Sequence, residues 1–410
     1  GDFNIPTPER VVEAMNRAIA DGKTGYCQPP GIPELRNALA EDVGQLRGID
    51  YALENVIIQP GGKPTIGKFI MAVMEPGDEV LTPSPGFPIY ESLIEFHEGK
   101  AVPYTFYEEE GEFFLDFDQL KAGITPKTTM LMFNNNHNPT AAESPREELE
   151  ALAEICLEND LWVLSDEAYI ETRYEGQSQS IASLPGMAER TVILYTFSKR
   201  FAMTGWRVGA SIGPPEVMEI IGQLNVNDES CTNHFAQWAM IDALAGGDVM
   251  CRPIIDKLRV RRDLTCQLLN GIEGVSVGVP ASTFYVYPDV TKVVEKHGFK
   301  NTIELQEDVL HKTGVAFCPR AYFGTPLPDE PRHYVRLAAM PAAASLAVTA
   351  GFAWVVFPKW SISRGIECRS SIRASSKSIT LSGAESACSI SPIWESLWSS
   401  ERGRPLFFRG

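Results

Sequence analysis

The chain has 410 residues, of which 44% are hydrophobic, and it carries a formal net charge of −17. This length and composition predict a globular protein with a large core and about two or three domains. The acidic excess argues against binding to nucleic acid or to anionic membranes, because both polyanions need a basic surface, and small molecules are the expected partners. The eight cysteines form no CxxC pair, which argues against a zinc site and a secreted disulfide framework and favours a cytoplasmic protein.

Helical and strand-like segments alternate over residues 1–250. The stretches 8–22 and 31–43 have apolar residues at helical spacing and predict two helices, and 145–160 predicts another. Five apolar runs that stop at polar residues or glycine predict strands: NVIIQPGG, DEVLTPSPGF, TTMLMFNNNHNPT, LWVLSDEAY and TVILYTFSK. This alternation predicts a doubly wound α/β domain whose mostly parallel sheet is covered on both faces.

Glycines and polar or aromatic side chains follow these five strands where the strands end. Open parallel sheets bind ligands beyond the carboxyl ends of their strands, so we expect these residues to surround one ligand. They are Gly61, Gly62, Lys63, Phe87, Asn134 to Asn138, Asp166, Tyr169, Thr196, Ser198 and Lys199. Gly61 and Gly62 precede a predicted helix whose free N–H groups favour a phosphate, and Arg207 adds a further donor.

Each residue alone also has a structural interpretation. A lysine after a strand is usually solvated, and Asp166 is also a candidate N-cap for a following helix. The segment GGKPT departs from the phosphate-binding loop of nucleotide-binding proteins, because proline stands where Ser or Thr would bind magnesium. His137 has no second histidine at metal-ligand spacing, so no metal site is predicted. The ligand site is favoured because all five strand ends carry candidates.

Five segments resemble motifs of the class I and II aminotransferases, fold-type I enzymes that use pyridoxal 5′-phosphate. These segments are TFSKRFAMTGWRVG, NHNPT, SDEAY, YCQPPGIPELR and YVRLA, in the family's order between residues 1 and 340. The resemblance implies an enzyme that moves an amino group between an L-amino acid and a 2-oxo acid. It also implies a large cofactor-binding domain over 1–250 and a smaller α+β domain over 251–340 that closes over the substrate.

The resemblance implies roles for the residues around the cofactor ring. Lys199 would form a Schiff base with the cofactor aldehyde and later move the α-proton of the substrate. Asp166 would pair with the pyridine nitrogen, while Tyr169 and Asn138 would hydrogen-bond the ring hydroxyl. Phe87 matches the aromatic residue that stacks on the ring.

Further roles concern the phosphate and the substrate. Arg207 would hold the cofactor phosphate as a bidentate fork. The residues expected to help it are Gly62, Lys63, Thr196 and Ser198. Tyr26 stands where the family has a tyrosine that reaches the neighbouring subunit's phosphate, so a homodimer with shared active sites is implied. Arg336 would bind the substrate α-carboxylate, beside Asn138.

The sequence departs from the family pattern at three places. Ala141 replaces the glycine expected after NPT, and we expect little harm unless the backbone there has positive φ. The resemblance implies an N-terminal arm before the position of Gly1, and we expect this arm to be missing here. Residues 341–410 carry eight Lys or Arg against four Asp or Glu, the reverse of the rest of the chain. We interpret this tail as frameshifted, read-through or disordered sequence, with a genuine extension as the alternative.

Three other functions remain open from the residues alone. A pyridoxal-phosphate lyase, catalysing β-elimination or ring closure, shares every motif named above. A cofactor-binding sensor domain of a transcription regulator is less favoured, since the acidic chain has no basic helix-turn-helix. A defective fragment with intact motifs is the third alternative. Transamination is the main hypothesis.

Overall fold

The structure is a computed structural model that describes residues 4–327 and 330–339. Its helices are α1 (Glu9–Ala20), α2 (Pro33–Arg47), α3 (Lys63–Val73), α4 (Ile89–Phe96), α5 (Phe117–Ala122), α6 (Arg146–Glu158), α7 (Phe197–Arg200), α8 (Pro215–Asp228), α9 (His234–Asn270), α10 (Thr291–His297) and α11 (Thr302–Thr313). Its strands are β1 (Val56–Gln59), β2 (Glu79–Pro83), β3 (Lys100–Tyr104), β4 (Phe106–Glu109), β5 (Glu112–Leu115), β6 (Thr128–Phe133), β7 (Trp162–Asp166), β8 (Thr191–Thr196), β9 (Gly209–Ile212), β10 (Tyr285–Val286), β11 (Cys318–Pro319) and β12 (Val335–Ala338). The tail over 341–410 lies outside the described residues.

Seven strands form the main sheet, in the order β1-β9-β8-β7-β6-β2-β3. Six of them run parallel, and β9 is antiparallel to both of its neighbours. Each of the five predicted strands is present as β1, β2, β6, β7 or β8, almost entirely buried along its length. The prediction of an α/β fold with a mostly parallel sheet is confirmed.

Helices cover both faces of this sheet because alternate strand residues point to opposite sides. Ile193 and Tyr195 of β8 pack in a cluster with residues of α1, α2 and α9. Val192 and Leu194 of the same strand pack in a second cluster, with residues of α3, α4 and α8. A third cluster joins α6 to β6 and β7.

A smaller antiparallel sheet, in the order β10-β12-β11, packs against α10, α11 and the end of α9. Helix α9 kinks at Gly247, whose φ of 42° and ψ of −132° are not helical. The boundary predicted at residue 250 therefore falls inside this helix, and the division into domains over 1–250 and 251–340 remains a prediction.

The parallel strands direct their carboxyl ends to one edge of the main sheet, where the loops that follow β1, β2, β6, β7 and β8 meet. Within the described ranges, no helix is long and apolar enough to cross a membrane. The same residues contain no cluster of His, Cys, Asp and Glu that could hold a metal ion. The edge formed by the strand ends is the place to look for a ligand site.

Candidate active site

A cavity of about 480 Å³ lies at the carboxyl edge of the main sheet. Eleven of the twelve residues predicted from the sequence line it: Gly62, Lys63, Phe87, Asn138, Asp166, Tyr169, Thr196, Ser198, Lys199, Arg207 and Arg336. The twelfth, Tyr26, does not line it and is 88% exposed. The strand ends and the small sheet thus bring residues that are up to 274 positions apart in the chain to one place.

Asp166 is the last residue of β7 and is almost completely buried. The hydroxyl of Tyr90 donates to its Oδ2 at 2.5 Å, and the N–H of Ala168 donates to Oδ1 at 3.2 Å. Burial raises the pKa of Asp166, and these two hydrogen bonds oppose the rise. A buried carboxylate that lines a cavity is stabilised by a cationic ligand atom placed beside it.

Lys199 follows β8 on the short helix α7. This turn is stabilised by Thr196, whose Oγ1 accepts from the N–H of Ser198 at 3.2 Å. The Lys199 Nζ lies 5.8 Å from the ring centroid of Tyr169 and 5.4 Å from that of Phe284. The amine is therefore held near two aromatic rings, and Lys199 lines the same cavity as Asp166.

An anion site is built where α3 begins. Gly62 is the N-cap of α3, so free backbone N–H groups point out of the helix there. A Cβ on Gly61 would lie 2.1 Å from Nη2 of Arg207, and φ at Gly61 is 97°, so only glycine fits beside the guanidinium. Arg207 itself has a left-handed backbone, with φ of 55°, and its Nη1 donates to the carbonyl of Thr204 at 2.9 Å.

Arg336 enters the cavity from β12 of the small sheet. Its Nη1 donates to Oδ1 of Asn138 at 2.6 Å. Its guanidinium carbon lies 4.2 Å from the ring centroid of Tyr285 and 4.6 Å from that of Phe323. Two aromatic rings and an amide therefore fix the orientation of this cation, as recognition of a planar carboxylate requires.

Comparison with known proteins identifies the family of this chain. The model of the family described as aminotransferase class I and II matches residues 1–347. The chain belongs to this family. The aminotransferase is 36% identical to the aspartate/prephenate aminotransferase of Thermus thermophilus over 329 residues, which cover 79% of this chain and 82% of that protein. It is 32% identical to the aspartate aminotransferase of Bacillus subtilis over 327 residues, covering 79% and 82% of the two chains.

A solved structure with a similar fold is also an aminotransferase. The aromatic aminotransferase from Pyrococcus horikoshii superimposes with a TM-score of 0.78 at 32% identity, covering 83% of this chain and 90% of that one. The family, the fold and the aminotransferase activity predicted from the sequence are confirmed. These relatives are named as aminotransferases and not as lyases or transcription regulators.

The sequence analysis missed two tyrosines of the aminotransferase site. Tyr90 binds Asp166, and the Tyr285 hydroxyl lies 2.8 Å from that of Tyr169. Tyr90 stands three positions after Phe87, which places both on one side of a helical turn, so this spacing could have revealed it. Tyr285 lies on β10 and meets Tyr169 only through the tertiary fold.

Asn134 connects the loop that carries Asn138 to the end of β7, which carries Asp166. Its Nδ2 donates to the carbonyl of Asp166 at 2.7 Å, and its Oδ1 accepts from the N–H of Asn138 at 2.8 Å. The sequence placed Asn134 among the strand-end residues without giving it a role. The structure shows that it fixes the position of this loop against the end of β7.

The condition for expecting little harm at Ala141 is not met. Its φ is 61°, which is the left-handed region that favours glycine. The loop imposes this conformation, since the N–H of Ala141 donates to the carbonyl of His137 and the N–H of His137 donates to that of Ala142, both at 2.8 Å. Alanine here therefore carries backbone strain that a glycine would not.

Proposed function

We propose that this aminotransferase uses pyridoxal 5′-phosphate, held covalently by Lys199, to move an amino group between an L-amino acid and a 2-oxo acid. One observation carries the proposal. A single cavity contains an amine, a buried carboxylate, an anion site and a second arginine, contributed by Lys199, Asp166, Arg207 with the start of α3, and Arg336. These groups match the aldehyde, the pyridine nitrogen, the phosphate and the substrate carboxylate.

The residues of the cavity fit the cofactor. The burial that raises the pKa of Asp166 is offset when a protonated pyridine nitrogen lies beside it. A Cβ on Gly61 would collide with Arg207 and one on Gly62 would collide with Leu194, so Gly61 lets the backbone before α3 lie against the guanidinium proposed to hold the phosphate. Phe87 lines the cavity with its ring 5.6 Å from Nζ of Lys63 and is placed to stack on a flat ring.

Each residue then has a step in the reaction. When bound, the cofactor supplies an electron sink for the bond broken at the substrate α-carbon. Arg336 binds the α-carboxylate and orients the α-C–H bond. With the cofactor bound, Lys199 would act as the amine that removes the α-proton of the substrate and moves it. Asp166 would hold a proton at the ring nitrogen, and Tyr169 and Asn138 would hydrogen-bond the ring hydroxyl.

We also propose a homodimer in which each active site receives a tyrosine from the other subunit. Tyr26 supports this, since it is 88% exposed in the single chain and lies outside the cavity. A large exposed aromatic side chain is common at protein interfaces. We place the enzyme in the cytoplasm, because Cys27, Cys231 and Cys318, among other free cysteines, suit a reducing compartment.

Borohydride reduction tests the assignment of Lys199. Protein incubated with pyridoxal 5′-phosphate, reduced and digested, should carry the cofactor on Lys199. Lys199→Ala should lose both the adduct and turnover with every amino acid offered. Lys63→Ala is the matched control, because Lys63 lines the same cavity, and it should keep the adduct. An adduct mapped to Lys63 or to another lysine would overturn the assignment.

A further inference from the structure

The hydroxyl groups of Tyr169 and Tyr285 lie 2.8 Å apart and form a hydrogen bond between the main sheet and the small sheet. Tyr169 follows β7, and Tyr285 begins β10. Tyr169 is the residue proposed to donate to the ring hydroxyl of the cofactor. Tyr285 therefore connects that residue to the sheet that carries the substrate-binding arginine.

Tyr285 is held firmly in this position. It is 2% exposed and pairs with Ala338 in the register of β10 and β12. Its ring lies edge-on to Tyr169, with centroids 5.4 Å apart, and beside Phe284 at 4.7 Å. Because the side chain is enclosed, its hydroxyl has a fixed direction toward Tyr169.

The same ring also contacts Arg336. The guanidinium carbon lies 4.2 Å from the Tyr285 centroid and 4.6 Å from the Phe323 centroid. A positive charge this close acts strongly on a phenol that is itself buried. A carboxylate bound to Arg336 would neutralise much of that charge.

We propose that Tyr285 is a positioning residue that makes the Tyr169 hydroxyl respond to the binding of a carboxylate at Arg336. The inference rests on the proposed function, since Tyr169 must bind the cofactor. When Tyr169 donates to the ring hydroxyl oxygen, the hydrogen bond between the tyrosines must be donated by Tyr285. Hydrogen bonds in such a chain strengthen one another, so a weaker donation by Tyr285 weakens the donation by Tyr169.

The direction of the effect follows from the groups that face Tyr285, which are Tyr169, Arg336, Cys318 and Asp166. Burial raises the pKa of both tyrosines, and the charge of Arg336 lowers it. Neutralising Arg336 removes the lowering effect and makes both hydroxyls poorer donors. The ring hydroxyl oxygen then keeps its proton to higher pH, so the apparent pKa of the cofactor's visible band should rise when a carboxylate binds.

Absorbance titration of the cofactor-loaded enzyme tests this without turnover. The band is followed against pH with and without 3-phenylpropionate or succinate, which are carboxylates that carry no amino group. In the wild type the carboxylate should raise the apparent pKa. In Tyr285→Phe the rise should be smaller by roughly 0.4 to 1 in pKa, the change expected from losing one hydrogen bond.

Tyr174→Phe is the matched control. Tyr174 is buried in the same apolar cluster, and its hydroxyl donates to the carbonyl of Thr283, away from Arg336. This variant should show the full wild-type rise. A rise in Tyr285→Phe equal to that in Tyr174→Phe would overturn the role of Tyr285.

A double variant separates this route from the contact between Arg336 and Asn138. If the signal passes through Tyr169, adding Tyr285→Phe to Tyr169→Phe should change the titration no further. An additional change in the double variant would contradict the route. Absence of any visible band in the wild type would instead refute the proposed function, so the two failures are distinguishable.

Discussion

We propose separate tasks for two arginines of the cavity. Arg336 lies at the end proposed for the substrate, against Tyr285 and Phe323, whereas Arg207 lies beside Gly61 at the start of α3. The distinction rests on which anion each guanidinium can reach. It predicts opposite consequences when each side chain is removed.

We expect Arg336→Ala to weaken binding of amino acids and oxo acids by roughly 2 to 5 kcal/mol, because a charge-assisted pair in a site screened from water is lost. The dissociation constant of the cofactor should hardly change. Arg207→Ala should weaken cofactor binding instead. Both constants are measured by absorbance titration, and equal losses of cofactor in the two variants would contradict the division.

Tyr90 is predicted to keep Asp166 ionised. Its hydrogen bond lowers the pKa of that carboxyl, against the effect of burial. Tyr90→Phe should therefore raise the pKa of Asp166, and cofactor affinity should fall roughly tenfold. Because pairing with the ring nitrogen needs the ionised carboxylate, the loss should grow as pH falls and begin at a higher pH than in the wild type.

Tyr104→Phe is the control for this prediction. Tyr104 is equally buried, but its hydroxyl donates to the carbonyl of Met132 at 2.9 Å. Its removal deletes a buried hydroxyl without touching Asp166. The same pH-dependent loss of cofactor in both variants would show that Tyr90 acts through packing alone.

At residue scale, the sequence predicts the cavity residues that directly follow strands better than the residues that hydrogen-bond to them. Asp166 and Lys199 follow strands directly, so local pattern and parallel topology place them together. Tyr90 has only its spacing from Phe87 as a marker and Tyr285 has none, since their partners are 76 and 116 positions away in the chain. A hydroxyl that meets its acceptor only in the folded state is not visible in local sequence.

At the scale of elements, the loop after β6 stores strain at Ala141. We expect Ala141→Gly to stabilise the protein by about 0.5 to 1 kcal/mol. The left-handed conformation is unfavourable for alanine, and relief of this strain outweighs the larger loss of backbone entropy when glycine folds. Denaturant unfolding measures the change. Ala153→Gly, the same substitution inside α6, should destabilise by about 1 kcal/mol. If both substitutions lowered the free energy of unfolding, the proposed strain at Ala141 would be refuted.

The sequence indicated five of the six parallel strands of the main sheet, but neither the parallel edge strand β3 nor the antiparallel strand β9. The runs that became β1, β2, β6, β7 and β8 are apolar throughout and end at polar residues or glycine. Strand β9 has only four residues, Gly209–Ile212, and nothing in them encodes the direction of pairing. The two-residue strands β10 and β11 are likewise too short to carry a periodic signal.

At the scale of the whole molecule, the proposed dimer can be tested by mixing inactive subunits. Tyr26→Ala should weaken phosphate binding, and Lys199→Ala should abolish turnover. In a mixed dimer one site receives an intact Lys199 from one chain and an intact Tyr26 from the other. The mixture should therefore be more active than the average of the two variants alone, measured by transamination after exchange of subunits. Activity equal to that average would contradict shared sites.

The kink of α9 links the two sheets through one backbone position. Residues of α9 before Gly247, such as Met240, pack with α1 and α2, while Cys266 and Leu269 near its end support the small sheet. Glycine can adopt the non-helical backbone conformation found at Gly247, and this conformation sets the angle between the two halves of α9. That angle therefore affects where the small sheet, which carries Arg336, lies relative to the end of β8, which Lys199 follows. A substitution at Gly247 that changed the angle would alter the distance between the two groups proposed to bind the cofactor and the substrate carboxylate.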